Sequence, residues 1–334
     1  LVWEAWSSGE GFQQTADDTV VLYALPLHHV FGLIIILLTC IDRGSTVAIV
    51  AGGQVGRALE TARQVRATMF MGVPYIYALA INTAERDGTG HDLRFLRMCG
   101  SAGAVLPVDT IRRFQQHYGR PVIDLWGLTE ALGHVTCMPV DGSGKVGSCG
   151  RALPGWEVRI VDDNGRVLPP HQAGEITARG PLLSGYYNNP RATAEVLRDG
   201  WLYTGDIGRL DEDGYLFFVG LKKEMIIVKG QNVYPVDIED VLLTHPKVAE
   251  ATVVGVPDKI RGEIVRAVVR LKEGERATEP EIRQFCREQI ADYKVPKQVI
   301  FTDRIPRSAG GKIDKAALKQ LAHTPAAGEP PVPA

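Results

Sequence analysis

Residues 1–141 alternate short apolar runs with helical patterns, and this alternation restricts the fold more than any other feature of the chain. Apolar runs at 19–25 and 45–50 predict strands, whereas the patterns at 57–65 and 107–117 predict helices. Strands that alternate with helices in this way pair in parallel and are covered by the helices. The sequence therefore predicts an α/β fold built on a parallel sheet.

The pattern of the sequence changes twice beyond this region. Residues 142–220 consist of short apolar runs separated by Gly, Pro, Asn and Asp, which predicts a small, β-rich, antiparallel subdomain. Strand and helix patterns return at 221–322 and predict a compact α+β domain, and the Pro- and Ala-rich residues 323–334 predict a disordered tail. We therefore divide the chain into a partial α/β core at 1–141, the β-rich subdomain, the α+β domain and the tail.

Composition argues against several classes of protein. The 334 residues carry 37 Lys and Arg against 39 Asp and Glu, which argues against a nucleic-acid partner held by bulk charge. The longest uncharged apolar run is residues 30–41, whereas a membrane-spanning helix needs about 20 residues. The run therefore predicts a buried helix and no integral membrane segment. Five scattered cysteines without a Cys-x-x-Cys pair, and no leader pattern, predict reduced thiols and a cytoplasmic protein.

The segment Asp-Leu-Trp-Gly-Leu-Thr-Glu at residues 124–130 is the strongest local signal. It predicts an apolar strand that runs into a glycine turn and presents Thr129 and Glu130 side by side. A hydroxyl beside a carboxylate can bind a phosphate oxygen and its magnesium ion, and the aromatic Trp126 can stack on a base. Taken alone, such a segment is more often an ordinary turn at the end of a strand, with the threonine at the N-terminus of a helix. The other segments of the chain, described below, favour the binding site instead.

Two further segments place small residues or a carboxylate at predicted turns. Residues 100–104, Gly-Ser-Ala-Gly-Ala, follow a strand-like run, so the bare backbone there could approach a flat ligand closely. Residues 200–206, Gly-Trp-Leu-Tyr-Thr-Gly-Asp, predict a tight turn on which Asp206 could accept both hydroxyls of a ribose. Each segment alone is more typical of an ordinary turn.

Two segments of the last third combine glycine with lysine. Residues 220–235 form a charged joint at the composition break and continue into a strand, a glycine loop and a proline, as a hinge between domains would. Residues 306–313 place Lys312 after two glycines on a predicted mobile loop, where its charge could reach a developing oxyanion or a leaving phosphate during one step. A solvated loop is the alternative for any single Gly-Lys pair.

These five segments, in this order and spacing, resemble the adenylate-forming (AMP-binding) superfamily, and in particular its acyl-CoA synthetase or fatty acid–CoA ligase branch. The resemblance includes Pro-Leu-His-His-Val-Phe-Gly at 26–32, where His29 falls on the histidine of a family motif near the acyl pocket. The alternative for His29 is a structural role, as a histidine in the core whose ring nitrogens are hydrogen-bonded. The resemblance implies part of a large α/β adenylation domain with a small β subdomain, followed by a mobile C-terminal α+β lid domain.

The resemblance also implies roles for individual residues of the nucleotide site. Trp126 takes the position of the adenine-stacking aromatic, Asp124 that of a side chain reaching the adenine amino group, and Asp206 that of the ribose ligand. Thr129 would hold phosphate and Glu130 the magnesium ion. The small residues expected beside the nucleotide are Ser101, Ala102, Gly103 and Gly127.

Three positions nearer the C-terminus take roles by the same resemblance. Lys223 would be the hinge residue, Gly230 would lie beside the pantetheine tunnel, and Lys312 would be the adenylation lysine. The catalytic set implied in this way is His29, Thr129, Glu130 and Lys312.

The chain departs from the family pattern in two places. It contains no Ser/Thr/Gly-rich phosphate loop ending in Pro-Lys, and Leu1 stands just after the expected position of that loop, so we expect the N-terminal part of the large domain to be missing from this chain. Leu221 stands where the family usually has arginine, and leucine cannot replace the cationic contact of a guanidinium.

The function implied by the resemblance is an ATP-dependent CoA ligase for a carboxylic acid, in particular a fatty acid, that acts through an acyl-adenylate. Its cofactors would be ATP, Mg²⁺ and coenzyme A, its partners the small-molecule acid, ATP and CoA, and its assembly a homodimer. Two alternatives remain open at this stage: a carrier-protein-directed adenylation domain, and a truncated, non-catalytic pseudoenzyme that binds ligand. We expect little or no activity from residues 1–334 alone.

Overall fold

The computed structural model describes residues 1–50, 52, 54–88, 92–258, 261–307 and 313–321. Its contacts divide the chain into two compact units, of which the first is Leu1–Phe218 and the second begins at Val219. The first unit holds two sheets and the second holds one, and each unit has its own buried core. The two units are therefore described separately.

The first unit contains a large sheet of seven strands. These are β1 (Thr19–Tyr23), β2 (Thr46–Val50), β3 (Met69–Gly72), β4 (Met98–Ser101), β5 (Val122–Leu128), β6 (Gly133–Cys137) and β7 (Arg151–Ala152). They lie in the order β2-β1-β3-β4-β5-β6-β7. All pairs from β2 to β5 are parallel, whereas β6 and β7 are added antiparallel at the other edge. The predicted α/β fold is confirmed.

Both faces of the large sheet are buried, which explains why its strands are apolar runs without a polar face. In β1, Val20 and Leu22 belong to one core cluster, whereas Val21 and Tyr23 belong to the other, as the period of two in a strand requires. The helices of this unit are α1 (Val2–Gly11), α2 (Thr39–Arg43), α3 (Val55–Gln64), α4 (Pro74–Asp87), α5 (Val108–Tyr118) and α6 (Pro190–Val196). Helices α3, α4 and α5 supply the apolar side chains that cover the second face.

The apolar run at 30–41 forms a helix, as predicted, but most of it is a π-helix over Phe31–Leu38 that continues into α2. The backbone N–H of Thr39 donates to the carbonyl of Ile34, five residues earlier, and the Thr39 hydroxyl donates to the same carbonyl at 3.1 Å. Most of the run is buried, whereas Ile41 is 67% exposed. Among the described residues, no helix is both long and apolar enough to cross a membrane.

Helix α1 is attached to the large sheet through a buried carboxylate. Glu4 is fully buried, and its Oε1 accepts hydrogen bonds from the backbone N–H of His134 at 3.1 Å and from the Ser8 hydroxyl at 3.2 Å. Its Oε2 accepts from Trp156 Nε1 at 3.3 Å. These donors offset the cost of removing a carboxylate from water.

A smaller sheet follows in the same unit, and its last strand ends three residues beyond Phe218, the last residue of that unit. Its strands are β8 (Glu157–Val161), β9 (Gly174–Arg179), β10 (Leu197–Arg198), β11 (Trp201–Leu210) and β12 (Leu216–Leu221), in the order β10-β11-β9-β8, with β12 also paired to β11. The pairs β8–β9, β9–β11 and β10–β11 are antiparallel, as predicted for this part of the sequence. Ile160, Ile176 and Leu216 from this sheet join the core cluster on the first face of the large sheet.

The second unit is an α+β structure. Its elements are β13 (Ile226–Val228), β14 (Gln231–Val233), α7 (Pro235–Leu243), β15 (Val248–Asp258), β16 (Gly262–Leu271), α8 (Glu279–Arg287), β17 (Gln298–Phe301) and α9 (Lys315–Gln320). The sheet order is β14-β13-β16-β15, with β17 parallel to β16. Residues of α7 and α8 bury against one face, and Leu318 of α9 buries in the cluster on the other.

Candidate active site

The carboxyl ends of β4 and β5 bring two of the predicted segments side by side. The strands pair in parallel with Gly100 opposite Ile123 and Ser101 opposite Asp124. The small residues that follow Ser101 therefore leave the sheet beside the residues that follow Asp124. Such an edge is where open α/β sheets usually bind ligands.

Gly127 does not form a turn, contrary to the prediction. Strand β5 continues through Gly127 to Leu128, and the turn begins only at Thr129. A Cβ atom on Gly127 would lie 2.2 Å from the carbonyl oxygen of Gly133 and 2.3 Å from the Cα of His134. The glycine is thus required by close approach of the antiparallel strand β6, not by a change of chain direction.

Trp126 and Asp206 are joined although they lie 80 residues apart. The indole Nε1–H of Trp126 donates to Oδ2 of Asp206 at 2.8 Å. The Trp126 ring is buried, with 6% of its surface exposed, and Asp206 is half-buried. The structure therefore brings together the predicted adenine-stacking side chain and the predicted ribose ligand.

Asp206 lies within strand β11 and not on a tight turn, which corrects the prediction for this segment. The pairing of β11 with β9 shifts register between Tyr203 and Ile207, and Gly205 has a φ of +72° at this irregularity. The Thr204 hydroxyl donates to the carbonyl of Ile176 at 2.7 Å and accepts the N–H of Asp206 at 3.1 Å. A bulge of this kind redirects a side chain while the strand continues.

Asp124 is a half-buried carboxyl group with few hydrogen-bond donors. Burial raises its pKa to about 8, against the smaller lowering effects of the Cys149 thiol and the backbone N–H of Leu125. The thiol lies 3.4 Å from Oδ2 and the N–H lies 3.1 Å from Oδ1. Asp124 also lines a cavity of about 210 Å³, whose rim includes Asp141. At neutral pH this group is therefore mostly protonated and can donate as well as accept.

Thr129 and Glu130 stand together on a short 3₁₀ turn, Thr129–Ala131, directly after β5. Thr129 is exposed and Glu130 is half-buried. The hydroxyl of Tyr186 donates to Oε1 of Glu130 at 2.7 Å, and the N–H of Leu183 donates to the Glu130 carbonyl at 2.9 Å. Burial, and then the adjacent carboxylate, raise the pKa of Tyr186 to about 12.

The residues after β4 offer a small-residue surface with one unused polar atom. Ser101 is buried, and its hydroxyl has no hydrogen-bond partner among the described residues. Ala102 is buried, whereas Gly103 is exposed and has a φ of +85°. A buried hydroxyl without a partner is costly, so a bound group that supplies one would be stabilised here.

His29 lies in the turn between β1 and the π-helix. Its Nδ1 accepts the backbone N–H of Phe31 at 3.2 Å, which assigns the ring proton of a neutral imidazole to Nε2. The ring is half-buried. Because β3 lies between β1 and β4 in the sheet, His29 follows a strand that is not adjacent to the other site residues.

The remaining predicted residues belong to the second unit. Lys223 is exposed on a 3₁₀ turn, Lys222–Glu224, and Gly230 is exposed at the tip of the hairpin between β13 and β14 with a φ of +78°. Leu221 ends β12 and is half-buried. Lys312 lies outside the described residues, as does the predicted tail.

A magnesium ion would be held here by few protein atoms. The described residues include no cluster of three or more His, Cys, Asp or Glu side chains suited to a metal ion. Within the same part of the chain, Oε2 of Glu130 accepts no hydrogen bond, while Oε1 is occupied by Tyr186. One carboxylate oxygen, together with substrate phosphates and water, is the usual coordination of Mg²⁺, so the donor set fits that ion.

Three contacts at this site escaped the sequence analysis. Tyr186 contacts Glu130 across 56 residues, Cys149 contacts Asp124 across 25, and Thr204 shapes the bulge. Two of these residues lie in segments with a local signal: Thr204 belongs to residues 200–206, and Tyr186 lies in a Gly- and Asn-rich segment with a second tyrosine beside it. Nothing in that segment indicates which distant residue Tyr186 contacts.

Comparison with known proteins places the chain in a family. The model of the AMP-binding enzyme family matches residues 1–187, and that of the AMP-binding enzyme C-terminal domain matches residues 237–312. An oxalate–CoA ligase from Arabidopsis thaliana is 36% identical over 91% of this chain and 60% of its own length, and a long-chain-fatty-acid–CoA ligase from Bacillus subtilis (strain 168) is 36% identical over 89% and 53%. The crystal structure of ATP-bound MatB from Rhodopseudomonas palustris superposes with a TM-score of 0.87 at 33% identity, covering 96% of this chain and 63% of MatB.

The chain thus spans 60% and 53% of the lengths of these two curated relatives. Its family-model match covers more than half of the 334 residues, and the structural likeness extends over nearly the whole chain. The chain belongs to the AMP-binding enzyme family.

Proposed function

We propose that the protein is an acid–thiol ligase that activates a carboxylic acid with ATP and transfers the acyl group to coenzyme A. The observation that carries the proposal is the hydrogen bond between Trp126 and Asp206, which joins strand β5 to the bulge of β11 at the edge where Thr129 and Glu130 stand. The family match and the CoA-ligase names of the relatives support it.

The nucleotide would be held by the residues of the first unit. Adenine would lie between the small residues after β4 and the exposed part of the Trp126 ring, with the Asp124 carboxyl group at its amino edge. The ribose hydroxyls would donate to Asp206. The unpartnered hydroxyl of Ser101 would gain a partner in the bound state.

In the first half-reaction, a carboxylate oxygen of the acid attacks the α-phosphorus of ATP, and the bond to the bridging oxygen of pyrophosphate breaks. Thr129 would orient phosphate through its hydroxyl, and Lys312 would offset charge on the transferring and leaving groups. A magnesium ion at Glu130 would supply further neutralisation of phosphate charge. In the second half-reaction, the thiol of coenzyme A loses its proton to solvent, its sulfur bonds to the acyl carbon, and the bond from that carbon to the phosphate oxygen breaks, so that AMP leaves.

We further propose roles in the second unit for Lys223 as a hinge and for Gly230 beside the path of the pantetheine chain. Gly230 has open space around the position of a Cβ atom, which is compatible with a narrow ligand passing it. His29 would stand near the acyl group. For the acid, we propose a fatty acid, because the apolar π-helix follows His29 directly and one relative is named for long-chain fatty acids.

The test is acid-dependent release of pyrophosphate by the full-length natural protein with ATP, Mg²⁺ and CoA, across a panel of oxalate, aryl acids and fatty acids of increasing length. Glu130→Gln should lower the rate by about 10²–10³-fold, as expected for the loss of one group that stabilises transition-state charge. The matched control is Glu195→Gln on the surface of α6, where the side chain is 62% exposed. Release with oxalate or an aryl acid but not with fatty acids would refute the substrate class alone, whereas no release with any acid would refute the ligase.

A further inference from the structure

The backbone of Tyr186 is fixed by the start of helix α6. Its N–H donates to the Thr193 hydroxyl at 2.9 Å, and that hydroxyl donates to the carbonyl of Asn189 at 3.0 Å. Asn189 in turn caps α6, because its side-chain oxygen accepts the N–H of Ala192 at 3.1 Å. Tyr186 is therefore held by an ordered helix N-terminus although it lies outside regular structure.

The same segment holds residue 130 at two points. The Tyr186 hydroxyl donates to Oε1 of Glu130 at 2.7 Å, and Leu183 donates its N–H to the Glu130 carbonyl at 2.9 Å. A hydrogen bond from a hydroxyl to a carboxylate oxygen is shorter and stronger than one between two neutral groups. Both the main chain and the side chain of Glu130 are thus oriented from one side.

We propose that Tyr186 is a positioning residue that occupies Oε1 of Glu130, so that only Oε2 is presented to a metal-bound nucleotide. This inference rests on the proposed function. Each carboxylate oxygen has two lone pairs, and the hydrogen bond from Tyr186 uses one of them on Oε1. Oε1 is therefore the weaker ligand for a cation, and binding through Oε2 alone is favoured. This binding suits Mg²⁺, which demands octahedral geometry with single contacts, over Ca²⁺, which accepts both oxygens of a carboxylate and more ligands.

The experiment measures equilibrium binding of ATP by calorimetry, first with saturating Mg²⁺ and then with saturating Ca²⁺, in the natural protein and in two variants. Tyr186→Phe removes the hydroxyl and keeps the ring. Tyr187→Phe makes the same change at the neighbouring residue, which is 93% exposed, and serves as the matched control. The readout is the ratio of the two dissociation constants, Ca²⁺ over Mg²⁺, which a general loss of stability does not move.

We expect Tyr186→Phe to lower this ratio by about tenfold, equivalent to about 1.4 kcal/mol, because Oε1 becomes available to Ca²⁺. Tyr187→Phe should leave the ratio unchanged. In a Glu130→Gln background, Tyr186→Phe should have no further effect on it. If Tyr186→Phe does not fold, Thr193→Val, which removes the acceptor of the Tyr186 N–H, must shift the ratio in the same direction.

Binding with an unchanged ratio in Tyr186→Phe, or an equal shift in Tyr187→Phe, overturns the inference and leaves the proposed function standing. Failure of the natural protein to bind ATP with either cation overturns both. The two failures are therefore distinguishable.

Discussion

The raised pKa of Asp124 has a measurable effect on stability. Burial raises the pKa from 3.8 to about 8 in the folded protein. Between these two values the unfolded chain has lost the proton and the folded protein has kept it, so the free energy of unfolding falls as pH rises. One residue with such a shift contributes a slope of about −1.4 kcal/mol per pH unit within that interval.

Replacing Asp124 with asparagine removes this slope and keeps the size of the side chain. The free energy of unfolding of Asp124→Asn, relative to the natural protein, should therefore rise by about 2.5 kcal/mol between pH 5 and pH 7. Only this change with pH is diagnostic. The altered contacts to Cys149 and Leu125 shift the free energy of unfolding by the same amount at pH 5 and at pH 7.

Urea unfolding followed by tryptophan fluorescence measures the right unit, because all five tryptophans lie within residues 1–218. The matched control is Asp141→Asn on the rim of the same cavity, where hydrogen bonds from Ser143 hold the pKa of Asp141 below its usual value. That group is ionised throughout the range from pH 5 to pH 7, so its replacement should give no change with pH. If the free energies of unfolding of Asp124→Asn and the natural protein differ by the same amount at pH 5 and at pH 7, the reasoning is refuted.

Three further outcomes are expected. Gly127→Ala should lower the free energy of unfolding in urea by at least about 1–3 kcal/mol, since its Cβ would meet the backbone of Gly133 at 2.2 Å, and unchanged stability would show that β6 can move aside. Lys312→Ala should suppress adenylate formation far more than thioester formation from supplied acyl-AMP, and equal loss of both rates would contradict its proposed role. Leu221→Arg should tighten ATP binding measured by calorimetry, because it adds a cationic contact, and unchanged affinity would mean that the side chain does not reach the nucleotide.

Local patterns located several strands and helices of the fold. The apolar runs of β1 and β2 and the amphipathic patterns of α3 and α5 lie within one or two residues of the predicted bounds. The π-helix could not be anticipated, because an apolar run of this length specifies burial but not which carbonyl the next N–H will reach. That choice depends on contacts such as the one between Thr39 and Ile34.

The candidate site was predictable only as a set of residues. The family resemblance pointed to Asp124, Trp126 and Asp206 as residues of the site. The structure brings Trp126 and Asp206 into contact. The local geometry was wrong at two glycines, because pairing with a neighbouring strand overrode a turn signal at Gly127 and again beside Asp206. Supporting contacts such as Tyr186 on Glu130 depend on distant segments meeting in space, and no local pattern encodes them.

The carboxylate of Glu4 also bears on the order in which the chain can fold during synthesis. Its last donor, Trp156, follows it by 152 residues. At about 5–20 residues per second, the ribosome makes Trp156 roughly 8–30 s after Glu4. Throughout that interval Oε2 of Glu4 lacks its donor, so α1 cannot bury the carboxylate with all the partners it has in the folded protein until the segment between β7 and β8 has been made.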